Sequence, residues 1–206
     1  GFLYFGTKYS IKRISTWFEF LLDDYQIDRS VPEPPTFGYT LGFELNNPVS
    51  IFNNFYFEYS RVANRTYQTH GEHGQENYVH RNYPIGHYLG NDFESILMLI
   101  FLKNYNYFGL NHKPLLKLSI INEGANNLNT PWDSPWEDKS TLQDGVYYES
   151  FPTDPNKILI EGEFLIKLFL KKSSYFEFGL KYNSEKNNRT FLIGRYKISF
   201  DKNFIY

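Results

Sequence analysis

With 206 residues, a formal net charge of −2 and no cysteine, the chain has room for one large domain but offers no basic surface for nucleic acid, no disulfides and no thiolate metal sites. Aromatics make up 20% of it, with 20 Phe and 18 Tyr against only two alanines, Ala63 and Ala125, a balance that favours strands over helices. The longest apolar run, residues 96–102, is too short to cross a bilayer as a helix, and a mean hydropathy of −0.50 also suits a barrel whose strands are half polar.

The sequence begins mid-pattern at Gly1, and two-residue periodicity predicts nine strands. The first covers residues 2–9. The second, 14–25, opposes Phe18, Phe20 and Leu22 to Trp17, Glu19, Leu21 and Asp23. In the third, 37–45, Phe37, Tyr39, Leu41, Phe43 and Leu45 share one face and Gly38, Thr40, Gly42 and Glu44 the other. The fourth, 52–62, sets Phe55, Phe57 and Tyr59 against Tyr56, Glu58 and Ser60; the fifth, 93–103, is apolar on both faces except for Glu94 and Ser95. The sixth, 115–121, opposes Leu116, Leu118 and Ile120 to Lys117 and Ser119. The seventh, 158–171, places Glu161, Glu163, Lys167 and Lys171 opposite an aliphatic face; the eighth, 176–182, and the ninth, 192–200, repeat the pattern. Gly162 and Gly194 fall on apolar faces and are expected to mark bends.

Short connections near residues 10–13, 46–50, 104–113 and 171–174 alternate with long ones near 26–36, 63–92, 122–157 and 183–190. In an up-and-down meander this puts short turns at one rim and long loops at the other, as in outer-membrane barrels. The expected fold is therefore all-β: one domain over residues 1–206, an antiparallel up-and-down transmembrane β-barrel with lipid outside and charge inside. About nine strands, beginning from the long-loop side, imply a portion of a larger barrel, its C-terminal part.

Four of the five histidines, His70, His73, His80 and His87, lie in the 63–92 connection. Their spacing is not that of a helical zinc motif, so solvated loop histidines and no metal are expected. Glu19, Glu44, Glu58, Glu161 and Glu163 suit charge ladders between strands better than a catalytic carboxylate pair. The loop aromatics are the stronger functional clue. Trp132 and Trp136 flank a proline and suit either sugar stacking or an interfacial aromatic belt. Tyr67, Tyr78, Tyr83 and Tyr88 mingle with Arg65, Arg81, His80 and His87, which suits binding or a loop plug. Asn64-Arg65-Thr66 and Asn188-Arg189-Thr190 match the glycosylation sequon by chance in a bacterial barrel.

Several stretches resemble a known family. Glu19-Phe-Leu-Leu-Asp23-Asp24-Tyr25-Gln26-Ile27-Asp28 is followed by Gly42-Phe-Glu44, by Glu58-Tyr-Ser-Arg61-Val62 and by Thr66-Tyr67. The most specific piece is Pro84-Ile-Gly86-His87-Tyr-Leu89-Gly90-Asn91-Asp92, within a segment that opens with Tyr78-Val-His80-Arg81. In this order they resemble the C-terminal barrel half of the capsule assembly Wzi family, over about residues 1–103. The resemblance implies a bacterial outer-membrane barrel that holds capsular polysaccharide at the cell surface, a lectin-like protein and not an enzyme. It implies saccharide contacts at Arg61, Tyr67, Tyr78, His80, Arg81, His87 and Asp92, to which the loop reading adds Trp132 and Trp136. No cofactor is expected; the partners are surface polysaccharide and outer-membrane lipid, and the barrel is expected to be monomeric. The rival readings are an outer-membrane channel or transporter for small solutes, and an enzyme with a Ser or Asp beside His87.

Overall fold

An extended chain satisfies its backbone polar groups only through neighbouring strands, and the alternating segments of this sequence do so with one another. The computed structural model describes residues 3–24, 33–34, 36–68, 79–80, 83–84, 86–131, 133–171, 174–185 and 189–198. They contain β1 (Leu3–Ile11), β2 (Ile14–Asp24), β3 (Thr36–Asn46), β4 (Phe52–Val62), β5 (Val79–His80), β6 (Tyr83–Pro84), β7 (Phe93–Leu102), β8 (Tyr105–Tyr107), β9 (Leu110–Glu123), β10 (Lys157–Lys171), β11 (Ser174–Asn183) and β12 (Arg189–Ile198). Two single-turn 3-10 helices, Pro135–Glu137 and Lys139–Thr141, lie between β9 and β10, and no α-helix occurs among the described residues.

Ten strands form one antiparallel sheet in the order β1-β2-β3-β4-β7-β9-β10-β11-β12, with β8 paired to the start of β9; β5 and β6 form a separate small hairpin. The path is up-and-down throughout. The sheet is open: β1 and β12 stand at its two ends and do not pair with each other.

All nine expected strands form. The sixth is longer than its alternation suggested, because Tyr105–Tyr107 folds back on Leu110–His112 and turns an expected loop into a hairpin. Its tip, Phe108 and Gly109, takes positive φ values of 51° and 72°, the pattern of a tight turn that matches strand twist. The ladder runs in register through Gly162 and Gly194; its shifts fall instead between Leu22 and Asp24, Phe52 and Asn54, and Phe169 and Lys171.

The polarity of the two faces is the reverse of a water-soluble sheet. On the apolar face Leu41, Leu116, Phe164, Phe176, Phe178 and Leu180 stand exposed, while on the polar face Ser60, Ser95, Ser119 and Glu177 are buried. Charges on that face pair across strands. Glu161 lies 3.9 Å from Lys117 and 3.1 Å from Lys181, and Lys181 also reaches Glu163 at 3.0 Å. Glu177 takes Lys167 at 3.2 Å and Arg195 at 3.4 Å. The expected charge ladder is thus present on β9 to β12, while β2 to β4 carry Glu19, Glu44 and Glu58 beside Trp17 and Tyr56, whose rings lie 5.1 Å apart.

Trp17 faces Gly42 across the β2–β3 pair. A methyl group at Gly42 would collide with the indole and lie 2.7 Å from the Phe57 carbonyl oxygen, whereas one at Gly162 would meet nothing within 4 Å. Gly42→Ala should lower the unfolding free energy of the refolded protein by about 1–3 kcal/mol, and Gly162→Ala should stay within about 0.5 kcal/mol of the parent in the same denaturant titration.

Candidate functional site

At the long-loop end of β4 and β7 the polar face turns apolar. Val62 and Phe93 pair there, closing β4 and opening β7. Tyr67 from the 63–92 connection and Leu128 from the 124–156 connection join them in a buried cluster, with Leu21 and Leu89 packed alongside. The described parts of these two connections therefore fold back onto the sheet.

Local turn chemistry makes that return possible. Arg65 and Tyr67 both adopt left-handed backbone, φ 64° and 68°, which costs a residue with a side chain about 1 kcal/mol or more. Fixed partners offset the strain: the Asp23 carboxylate accepts the Tyr67 N–H at 2.7 Å, and the Asn64 side-chain oxygen accepts the Arg65 N–H at 2.9 Å. Arg65, 4% exposed, donates to both oxygens of Glu149 at 2.9 and 3.0 Å and to Asp133 at 2.6 Å. Burial alone would lower its pKa, but these two carboxylates outweigh it and hold the guanidinium charged. Its Cζ atom lies 5.0 Å from the ring centre of Trp136, which is itself buried against Tyr147.

Asp92, with φ 57°, is the second clasp. Its buried carboxylate accepts the Thr153 N–H at 2.9 Å, the Asn126 N–H at 3.1 Å and the Thr153 hydroxyl; its carbonyl accepts the Gly124 N–H at 2.7 Å.

Beside these clasps, β1 to β4 and residues 86–88 surround a cavity of about 760 Å³. Tyr4, Glu19, Thr40 and Glu58 line it from the strands, and Tyr67, His87 and Tyr88 from the connection. His87 Nδ1 accepts the Leu89 N–H at 3.3 Å, the His87 N–H donates to the Tyr67 hydroxyl at 3.4 Å, and the imidazole lies 4.6 Å from the Phe93 ring. Desolvation lowers the His87 pKa to about 4, so the ring is neutral at pH 7. Burial likewise raises the Tyr67 phenol. The cavity thus offers aromatic surface and carboxylate acceptors, with no Lys or Arg among its described lining residues.

Of the residues singled out from sequence, Tyr67 and His87 meet in this cavity. Arg61 does not: it lies in phase with Phe55, Phe57 and Tyr59 on the opposite face, its guanidinium 3.7 Å from the Phe151 ring centre. Asp92 and Trp136 belong to the clasps that join the connections, and the Trp136 ring is covered by Arg65. Tyr78, Arg81 and Trp132 lie outside the described residues, as do His70, His73 and Tyr25–Asp28 of the resemblance; for His80 only the backbone, in β5, is described. No cluster of potential metal ligands occurs among the described residues. The first sequon is closed to glycosylation, since Asn64 is 7% exposed and bonded to Glu149, and Thr66 is fully buried. Sequence reasoning missed Tyr4 and Thr40 as lining residues and gave Glu19 and Glu58 to charge ladders; the signal for Tyr4 was its two-residue phase with Gly6 and Lys8, and its pairing with Leu21 puts it on the polar face.

Compared with protein-family models, curated proteins and solved structures, the chain matches none.

Replacing Asp92 by Ala leaves three donors short of their acceptor and should cost about 2–4 kcal/mol in denaturant unfolding. The His87 shift gives a second expectation. Its folded pKa is depressed below 6.5, so between about pH 6.5 and 4 the unfolded chain takes up a proton that the folded chain refuses. Stability should fall across that window on acidification, and the fall should be smaller in His87→Gln when the unfolding midpoints of the two proteins are compared at pH 7 and 4.5.

Proposed function

We propose that this sheet is part of the wall of a transmembrane β-barrel in the bacterial outer membrane, and that its long-loop end holds surface polysaccharide without chemically altering it. The observation that carries the reading is an inside-out sheet whose polar face holds an aromatic and carboxylate-lined cavity directly beside the folded-back long loops. Strands such as β1, β4 and β7, of 9, 11 and 10 residues, have the length of tilted membrane-spanning strands. Their exposed apolar face suits hydrocarbon, and further strands would pair with the free edges of β1 and β12 to close the wall.

The cavity favours a polyhydroxylated ligand. Tyrosine rings stack on the apolar faces of sugar rings, and Glu19 and Glu58 accept from hydroxyls. Repeated weak contacts along a polymer would retain it by avidity. The rival reading as a solute channel is less well supported, since the Val62–Tyr67–Phe93–Leu128 cluster occupies the polar face at the long-loop end. Enzymatic use of His87 would need a Ser or Asp partner; the described hydrogen bond to its ring comes from the Leu89 N–H. The resemblance to the Wzi family agrees with this reading through the segment that contributes Gly86, His87 and Tyr88 to the cavity.

Tyr88 is 68% exposed at the cavity edge, so its removal should spare the fold. In cells producing the full protein, Tyr88→Ala combined with Glu58→Gln should reduce retained surface glycan about threefold or more while the barrel still inserts. Unchanged retention by an inserted variant rejects the site.

A further inference from the structure

The two ends of the sheet differ in charge far more than the net value of −2 suggests. Around the short connections, over residues 10–15, 45–53, 102–114 and 170–175, the sequence carries Lys12, Arg13, Lys103, Lys113, Lys171 and Lys172 and neither Asp nor Glu. Lys12, Arg13, Lys103 and Lys113 are exposed. The opposite end is acidic: residues 124–156 alone hold Asp133, Glu137, Asp138, Asp144, Glu149 and Asp154 against Lys139.

The basic end is also apolar at its tips. Val49 and Ile51 stand exposed in the β3–β4 connection, and the β8–β9 hairpin presents Tyr105, Tyr107 and Phe108, the last 88% exposed. Tyr107 and Phe108 meet edge to face at 4.3 Å, and the tight turn at Phe108 and Gly109 holds them outward. Lys113, by contrast, pairs opposite Lys167 on the polar face, its ammonium 4.6 Å from the Phe169 ring centre, and stands apart from these tips. An acidic protein would match the cations but leave the aromatic tips without a designed complement. A layer of anionic lipid headgroups matches both, with phosphates for the cations and the carbonyl–acyl boundary for the rings.

We propose that the short-turn end is a binding surface for anionic phospholipid headgroups, using Lys12, Arg13 and Lys103 for charge and the Tyr105–Phe108 hairpin as the interfacial anchor. The proposal rests on the membrane-wall reading above, and it makes the two rims unequal in lipid preference: the basic rim selects anionic lipid, and the acidic rim does not.

The test uses the full-length protein in vesicles of phosphatidylcholine and phosphatidylglycerol, with a trace of either lipid spin-labelled, and reads the lipid immobilised at the protein by electron paramagnetic resonance. The wild type should favour phosphatidylglycerol about twofold or more at low salt and approach parity near about 0.5 M salt. The variant K12Q/R13Q/K103Q should sit near parity at all salt concentrations, and E137Q/D138N at the other end should keep the wild-type preference. If the triple variant fails to insert, K12Q/R13Q and K103Q should each lose part of the preference. Parity in the inserted wild type, or an undiminished preference in the inserted variants, overturns the headgroup assignment and leaves the membrane wall standing. Absence of any immobilised lipid around the wild type overturns both.

Discussion

Alternate side chains of an antiparallel ladder cannot choose their face independently, and in this sheet the whole structure depends on that constraint. Once Phe43 and Phe57 pair on one face, Gly42 and Glu58 must pair on the other, and the same choice passes from strand to strand across the sheet. Apart from Arg61 and Glu94, which pair on the apolar face at the long-loop end, charge in the ladder gathers on one side, where a lone carboxylate is costly and a paired one is not. Glu161, Glu163, Glu177, Lys117, Lys167, Lys181 and Arg195 answer this by bonding across neighbouring strands.

Where the ladder ends, charge pairing gives way to loop packing. The Val62–Phe93 pair offers an apolar landing on the polar face, and Tyr67 and Leu128 occupy it. Arg65 and Asp92 then tie residues distant in sequence into one unit, at separations of 84 positions for Arg65 to Glu149 and 61 for Asp92 to Thr153. The cavity lies between this unit and the strands, so its shape is set jointly by the register of β1 to β4 and by the turn at residues 63–68. The shape of this end thus depends on a strained backbone held by buried acceptors.

The nine strands were legible because alternation is a local signal that pairing only reinforces. The hairpin at Tyr105–Leu110 was not, since its three-residue arm is too short to display a period. The site divides the same way. The side of Arg61 was readable from its phase with Phe57 and Tyr59, although its place in the resembling Glu58–Val62 stretch suggested a shared site. The burial of Trp136 and the structural use of Asp92 were not readable, because both depend on partners in a different connection.

The sequence by itself determined that the chain is all-β and which residues share a face, since strand geometry has a fixed period of two. Only the tertiary structure decided that Tyr67 and Leu128 of two long connections pack on the polar face, that Arg65 and Asp92 tie those connections down, and that His87 and Tyr88 line one cavity with Glu19 and Glu58. Those facts turn on long-range hydrogen bonds and on burial, and neither leaves a periodic mark in a single chain.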